Sequence, residues 1–281
     1  MAAPGELDIE YVDARRVLLD ALGAFGPQIG AVTLIGAQAV YLRTLDRLTD
    51  YQPYTTDADL VLDPGQLSDL PTLGDAMRDA GFILTDEPGI WEARFDREGA
   101  DEQVAVPVDL IVPESIAPTA GRRSARLPGG HGKNTARKST GVEGALVDRG
   151  PIEISALDPG DDRRIVVDVA GEAALLVAKL HKLGDRLTRP DRLHPKDAGD
   201  VYRLFDVLGP TEMAERIQFL LADGRSAATA QQAIAYGDII FDGPNSVGVD
   251  LASRALRTAL PAATVVSTVI VYWDALRTAL R

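Results

Sequence analysis

Two aspartates, Asp57 and Asp59, stand two apart in Thr56-Asp-Ala-Asp-Leu60, at the head of a short apolar run. In an extended chain, residues i and i+2 share a face, so both carboxylates point the same way. Like charges so close repel unless a cation lies between them. Such carboxylates suit Mg²⁺, which takes few protein ligands and completes its shell with water and phosphate oxygens. Asp109 is the third candidate, because it interrupts the apolar run Val106-Pro-Val-Asp-Leu-Ile-Val112. A charge in a buried-strand pattern is costly unless it is paired or metal-bound. If the two strands are neighbours, the three acids converge and can hold two ions about 3.5–4 Å apart. One ion would bind a nucleoside triphosphate, and the other would lower the pKa of an attacking hydroxyl. Asp109 would then serve as metal ligand and candidate general base. Read alone, Asp-Ala-Asp is an ordinary surface acidic pair.

Gly36 closes the run Ala31-Val-Thr-Leu-Ile35 and opens a helical stretch beginning at Ala37. Backbone N–H groups at such a turn can meet a phosphate, helped by the helix dipole. Downstream, Lys179 and Lys182 are three apart on one helix, with Arg186 a further turn along, which makes them surface neighbours. They read either as phosphate ligands or as a solvated basic stripe. Asp197 sits at the start of the next helix, where an acid is also an ordinary helix-start residue.

Residues 121–140 hold four Arg and two Lys and no acid, on a chain whose net charge is −13. One basic segment on an acidic body is a local anion site, with Arg122, Arg123, Lys133, Arg137 and Lys138 as candidates to grip the phosphates of an RNA acceptor. A flexible solvated loop is the plain alternative. Gly-Gly-His-Gly-Lys133 is not a Walker A loop, since Leu127 stands where its first Gly belongs and no Ser or Thr follows the Lys.

The elements that must place these residues can be read from periodicity. Residues 9–24 and 37–48 carry helical patterns, and residues 67–80 a third that closes at Gly81. Runs at 31–35, 59–62, 90–95 and 104–112 read as strands, with short strands again near 152–155 and 165–167. From Gly171 onward the pattern is helical: 172–187, 196–208, 211–222, 226–236 and a last helix within 261–280. The expectation is an α/β fold: a mixed sheet with flanking helices over 1–158, then a mainly helical half over 159–281.

The chain has 281 residues, 46% of them hydrophobic and 25% charged, as in ordinary globular proteins. No cysteine is present, which excludes a disulfide framework, a thiolate metal site and a Cys nucleophile. Aromatic residues are only 5%, so base stacking is not expected to dominate recognition. The first residues lack the basic and apolar parts of a signal peptide, and the run 262–273 is too short to span a bilayer, so no membrane association and a cytoplasmic location are expected.

In this order, the stretches LIGAQAVYLR, TTDADLVLD, VDLIV, LLVAKLHKLGDR and PKDAGDVYRL resemble the AbiEii/MenT-type nucleotidyltransferase toxins of the DNA-polymerase-β-like superfamily, over about residues 31 to 208. The resemblance implies a toxin of a toxin–antitoxin or phage-defence pair, with a cognate antitoxin as partner. Such a toxin transfers a nucleotide from an NTP to RNA, in several cases the tRNA 3′ end, and so blocks translation. It makes Asp57 and Asp59 metal ligands for two Mg²⁺, with Asp109 as the third carboxylate. It further makes Gly36 and Ala37 the nucleotide-binding turn, Lys179 or Lys182 a triphosphate contact with Arg186 beside it, and Asp197 the acid of the following helix. The family's usual Gly-Ser or Gly-Gly is Gly36-Ala37 here, which removes a hydroxyl. Two alternatives stand beside this reading: an adenylyltransferase acting on a small-molecule or protein hydroxyl, and a degenerate regulatory binding protein.

Overall fold

A computed structural model describes residues 7–44, 54–97, 99, 101–117 and 123–281. Arg122 and the end of the helix expected over 37–48 lie outside the described residues. The architecture is α/β: a mixed sheet of nine strands with helices, followed by helices from residue 172 onward. Among the described residues no helix is long and apolar enough to cross a membrane.

The sheet grows outward from β1 (Val32–Ile35), which runs antiparallel to β2 (Ala58–Leu62). Antiparallel β3 (Ile83–Leu84) and β4 (Ile90–Phe95) form one edge, and β2 pairs in parallel with the long β5 (Val104–Pro113). β4 covers β5 from Val104 to Asp109 and then stops. Beyond that point β7 (Ala136–Ser139) pairs in parallel with β5 at Ile111 to Pro113, with β6 (Ser124–Ala125) outside it. On the other side of β1 lie β9 (Arg164–Ala170), in parallel, and then β8 (Arg149–Ser155).

The handover from β4 to β7 is made at Gly89. Its N–H donates to the Asn134 carbonyl at 2.8 Å, and its own carbonyl accepts from the Leu110 N–H at 2.8 Å. With φ at +80° and a would-be Cβ only 2.5 Å from the Arg137 nitrogen, no other residue fits without displacement. The basic segment, expected as an interruption of the pattern, thus contributes two strands.

One face of the sheet is dry. Leu34, Leu60, Val108, Leu110 and Trp91 are fully buried there, and α1 (Ile9–Phe25) lies against β2, β5 and α3 (Leu73–Asp79). α3 starts later than the pattern from residue 67 suggests. Pro71 keeps the preceding residue out of the helical region, and Thr72 caps the helix by accepting from the Asp75 N–H at 3.1 Å. Trp91 donates its indole N–H to the Thr135 carbonyl at 2.9 Å. Trp91→Phe removes that bond and leaves a buried acceptor unpaired, so a loss of about 1–3 kcal/mol is expected. A urea midpoint equal to that of the parent chain would refute this anchoring role.

The chain separates by contacts into two compact units. Among the described residues, those within 7–38, 54–139 and 149–169 form the sheet unit, while 39–44, 140–148 and 170–281 form the helical unit. The division therefore crosses the chain several times, whereas the sequence suggested one boundary near 158. β9 stays with the sheet unit because it pairs in parallel with β1.

In the helical unit, α4 (Glu172–Gly184) packs against α5 (Pro195–Val207), α6 (Pro210–Ala222) and α7 (Ala227–Ile240). α5 packs in turn on α8 (Val247–Ala255) and α9 (Ala262–Ala279). Asp148 opens α4 by accepting the N–H groups of Ala173 and Ala174, both at 3.1 Å. The core between α5 and α9 is aromatic, with Phe205 stacked on Tyr272 at a ring separation of 4.0 Å.

Candidate active site

Strand register decides which charges meet. Ile35 stands opposite Asp59, Asp59 beside Asp109, and Ile111 beside Arg137. Paired residues share a face and alternate residues return to it. Asp59, Asp109 and Arg137 therefore project from one side of the sheet, while Ala58, Leu60, Val108 and Leu110 fill the dry side. Thr33 and Asp168 extend the polar face across β1 and β9. There Arg149 reaches the Thr33 hydroxyl at 2.8 Å and Asp168 at 3.4 Å.

Asp57 precedes β2 and accepts a short hydrogen bond from the Thr55 hydroxyl. Its backbone carbonyl accepts from the side-chain amide of Gln38 at 3.0 Å. Gln38 is buried on α2 (Gly36–Arg43) and is itself held by the Arg15 guanidinium at 2.9 Å. A buried amide thus pins the entry to the Asp-Ala-Asp strand. Nothing in the sequence pattern distinguished Gln38 or Arg15, because both sit within helical runs that read as packing.

Gly36 meets Asp59 directly. Its φ is +74°, and a Cβ built there would lie 2.1 Å from an Asp59 carboxylate oxygen. The glycine turn and the acid therefore belong to one structure. Ala37 is buried and offers no polar side-chain group.

Asp109 is paired differently from the expectation. Arg137 donates from Nε to both of its carboxylate oxygens at 2.8 Å and closes a further short bond from Nη2. Burial pushes the Asp109 carboxyl above its ordinary value, against the Arg137 bonds that pull it down, and the nearby Asp57 charge adds to the rise. Arg137 is held above its ordinary value despite burial, by its bonds to Asp109 and by the charges of Asp109 and Asp59. The three-carboxylate cluster read from the sequence is here two aspartates beside an Asp109–Arg137 pair. Among the described residues no three acidic or histidine side chains are grouped to hold a metal ion. Arg137, placed in the sequence with RNA-binding cations, turns inward to Asp109.

The remaining basic candidates lie apart from that pair. Arg123 is exposed and pairs loosely with Glu87 at 3.7 Å. Lys133 is exposed, and Lys138 alternates with Arg137 along β7 and so takes the other face. Between β6 and the following turn lies a cavity of about 610 Å³, lined by Arg126, Leu127, His131 and Lys133 among others.

Lys179 and Asp197 form a cluster inside the helical unit. Lys179 is only 5% exposed, and its Nζ lies 2.6 Å from Asp200 and 3.0 Å from Asp197. Lys182 and Arg186 reach Asp197 from outside at 3.2 and 3.4 Å. Burial opposes the charged state of Lys179, yet the two aspartates hold its pKa above the usual lysine value. Burial likewise opposes ionisation of Asp197, but Lys179 and Lys182 drive its pKa well below the carboxylate range. Lys179 is thus a buried ion-pair partner of Asp197 and Asp200. Asp200 went unnoticed in the sequence, although its i+3 spacing from Asp197 places both on one face of α5.

No described protein family and no curated protein matches this chain. Among solved structures it is similar to JHP933 from Helicobacter pylori, with 14% identity, 98% of this chain and 95% of that chain covered, and a TM-score of 0.47. A likeness of that degree carries no argument about activity.

Proposed function

We propose that this chain is a Mg²⁺-dependent nucleotidyltransferase that moves a nucleotide from an NTP to an RNA acceptor, with the tRNA 3′ end as the leading candidate, and acts as the toxin of a toxin–antitoxin or defence pair. The observation that supports it most is the close approach of Gly36 to Asp59, two residues from Asp57 at the head of a sheet strand. Asp57 and Asp59 suit one Mg²⁺, which commonly binds through one or two carboxylates and shares the rest of its shell with water and substrate phosphates. Asp109 spends both oxygens on Arg137 and is outside that donor set.

When bound, the ion would supply charge neutralisation for the triphosphate. The protein's own groups do the rest. Thr55 and Gln38 fix the Asp57 segment, and Gly36 leaves the Asp59 carboxylate room. In the transfer the acceptor hydroxyl oxygen forms a bond to the α-phosphorus, pyrophosphate leaves, and the hydroxyl proton is released. Arg137 and Asp109 form a closed charge pair on the same sheet face, which keeps Arg137 protonated near Asp59.

The test is incubation with each α-labelled NTP, total tRNA and Mg²⁺, beside Asp57→Ala. Label is expected on tRNA, reduced by at least about a hundredfold in the variant, the scale of several kcal/mol of lost electrostatic stabilisation. Label on the protein or on a small hydroxyl compound would instead establish an adenylyltransferase, a reading favoured by the net charge of −13. Absence of transfer to any acceptor would overturn both.

A further inference from the structure

We propose that the cavity between β6 and the turn after it is a binding site for a phosphate monoester carried on a nucleotide-sized group, distinct from the Asp57–Asp59 face. The cavity holds about 610 Å³, within the range of small-molecule sites. Its walls combine buried Ala125 and Leu127 with the cations Arg126 and Lys133. Both cations are exposed, and neither has an ion pair among the described residues.

The decisive group is His131, which lines the cavity and is 1% exposed. Its Nδ1 accepts the Leu73 backbone N–H at 3.0 Å, so in the neutral ring Nε2 carries the proton. That Nε2–H is buried and has no hydrogen-bond partner among the described residues. Buried donors are almost always satisfied, so one left over on a residue that lines a cavity points to an acceptor taken up from the cavity side. Burial holds the ring below its ordinary pKa, against the pull of Asp69, so the neutral donor form prevails at neutral pH. An anionic oxygen at Nε2–H would give that donor its acceptor, and Arg126 and Lys133 on the same cavity wall would attract its charge. A lone phosphate would leave most of the volume empty, and the apolar walls suit an attached organic group.

The site is separate from the catalytic face by strand alternation. Ala125 pairs with Ala136, whose side chain takes the face opposite to that of Arg137. Its occupancy therefore needs no nucleotidyl transfer, and the inference stands or falls apart from the proposed function.

The protein has three histidines, so ¹⁵N-resolved imidazole spectra of the full chain can follow His131. Adenosine 5′-monophosphate, inorganic phosphate, a 5′-phosphorylated tetraribonucleotide and its dephosphorylated twin would be titrated in turn. The expected result is a saturable shift of His131 Nε2, and not of His181 or His194, with a Kd below about 1 mM for at least one monoester. Tighter binding of the mononucleotide identifies a free small molecule, and tighter binding of the phosphorylated oligonucleotide identifies an RNA end. Arg126→Ala with Lys133→Ala, both at exposed positions, should weaken binding by about tenfold or more. An unmoved His131 resonance with every probe, equal shifts from the dephosphorylated twin, or undiminished binding by the double variant would overturn the site.

Discussion

Lys179→Ala is expected to destabilise the helical unit by about 3–5 kcal/mol, the usual cost of removing one partner from a buried ion pair. The lysine stands between Asp200, fully buried, and Asp197, 3% exposed. Asp197 retains Lys182 and Arg186 when Lys179 is gone, but Asp200 has no other ion-pair partner among the described residues. The cost therefore comes chiefly from stranding the Asp200 carboxylate away from water. Lys179→Met combined with Asp200→Leu removes both charges and should recover most of the loss, because apolar replacements of buried pairs are often neutral. Urea unfolding of the three chains measures this directly. Full stability of Lys179→Ala together with lost nucleotide transfer would sink the structural account and return Lys179 to a phosphate-binding role.

The same cluster sets a pH dependence. The folded pKa of Asp197 lies below its unfolded value, so its stabilisation is present above about pH 4 and is lost as the pH falls further. The folded pKa of Lys179 lies above its unfolded value, so its share is present below about pH 10 and is lost as the pH rises past that. Between these limits this cluster contributes no slope. Lys179→Ala removes the larger of the two lysine contributions that lower the Asp197 pKa, so the share lost at the acid end is smaller in the variant. The difference in stability between the parent and the variant should therefore narrow as the pH falls below about 4, measured by urea unfolding at each pH.

How much of this was legible in the sequence depended on whether local pattern or distant pairing decided the outcome. The Asp-Ala-Asp strand and the strand of Asp109 were readable because apolar runs of four to eight residues carry their own signal. Their parallel pairing puts Asp59 beside Asp109, as the three-acid reading requires. What the third acid does was not readable. Its partner, Arg137, lies 28 residues away in a basic stretch whose composition suggests a loop. That stretch becomes a strand only because β4 begins at Ile90, opposite Asp109, and leaves the far part of β5 open for pairing. The Lys179 cluster shows the reverse: spacing correctly put Lys179 and Lys182 on one helix, while Arg186 lies in the turn after Gly184 where the helix has ended, and spacing cannot say which of them faces inward. α8 also escaped notice, since Val247-Gly-Val-Asp-Leu251 is short, glycine-bearing and rich in β-branched residues, and its buried positions are supplied by packing on α5 and α9.

Gly36→Ala should produce the second large effect, and its origin can be divided. Part is conformational: at φ +74° an L-residue pays about 1–2 kcal/mol for the left-handed backbone. The other part is collision, because the new methyl carbon would lie 2.1 Å from an Asp59 oxygen and 3.0 Å from its Cβ, so one of the two must move. Overpacking of that kind costs about 1–3 kcal/mol more. The two parts separate in a double-mutant cycle. In an Asp59→Ala background the carboxylate is absent and only the 3.0 Å contact with Cβ remains, so Gly36→Ala should cost little beyond the conformational part, leaving a coupling of about 1–3 kcal/mol between the positions. Strict additivity would mean that Gly36 serves its turn alone and that its nearness to Asp59 is incidental. The transfer assay provides a second readout on the same chains. If Gly36 exists to let the Asp59 carboxylate stand where it does, Gly36→Ala should depress transfer about as deeply as Asp59→Ala, and the double variant no further, as expected of residues that act as one unit.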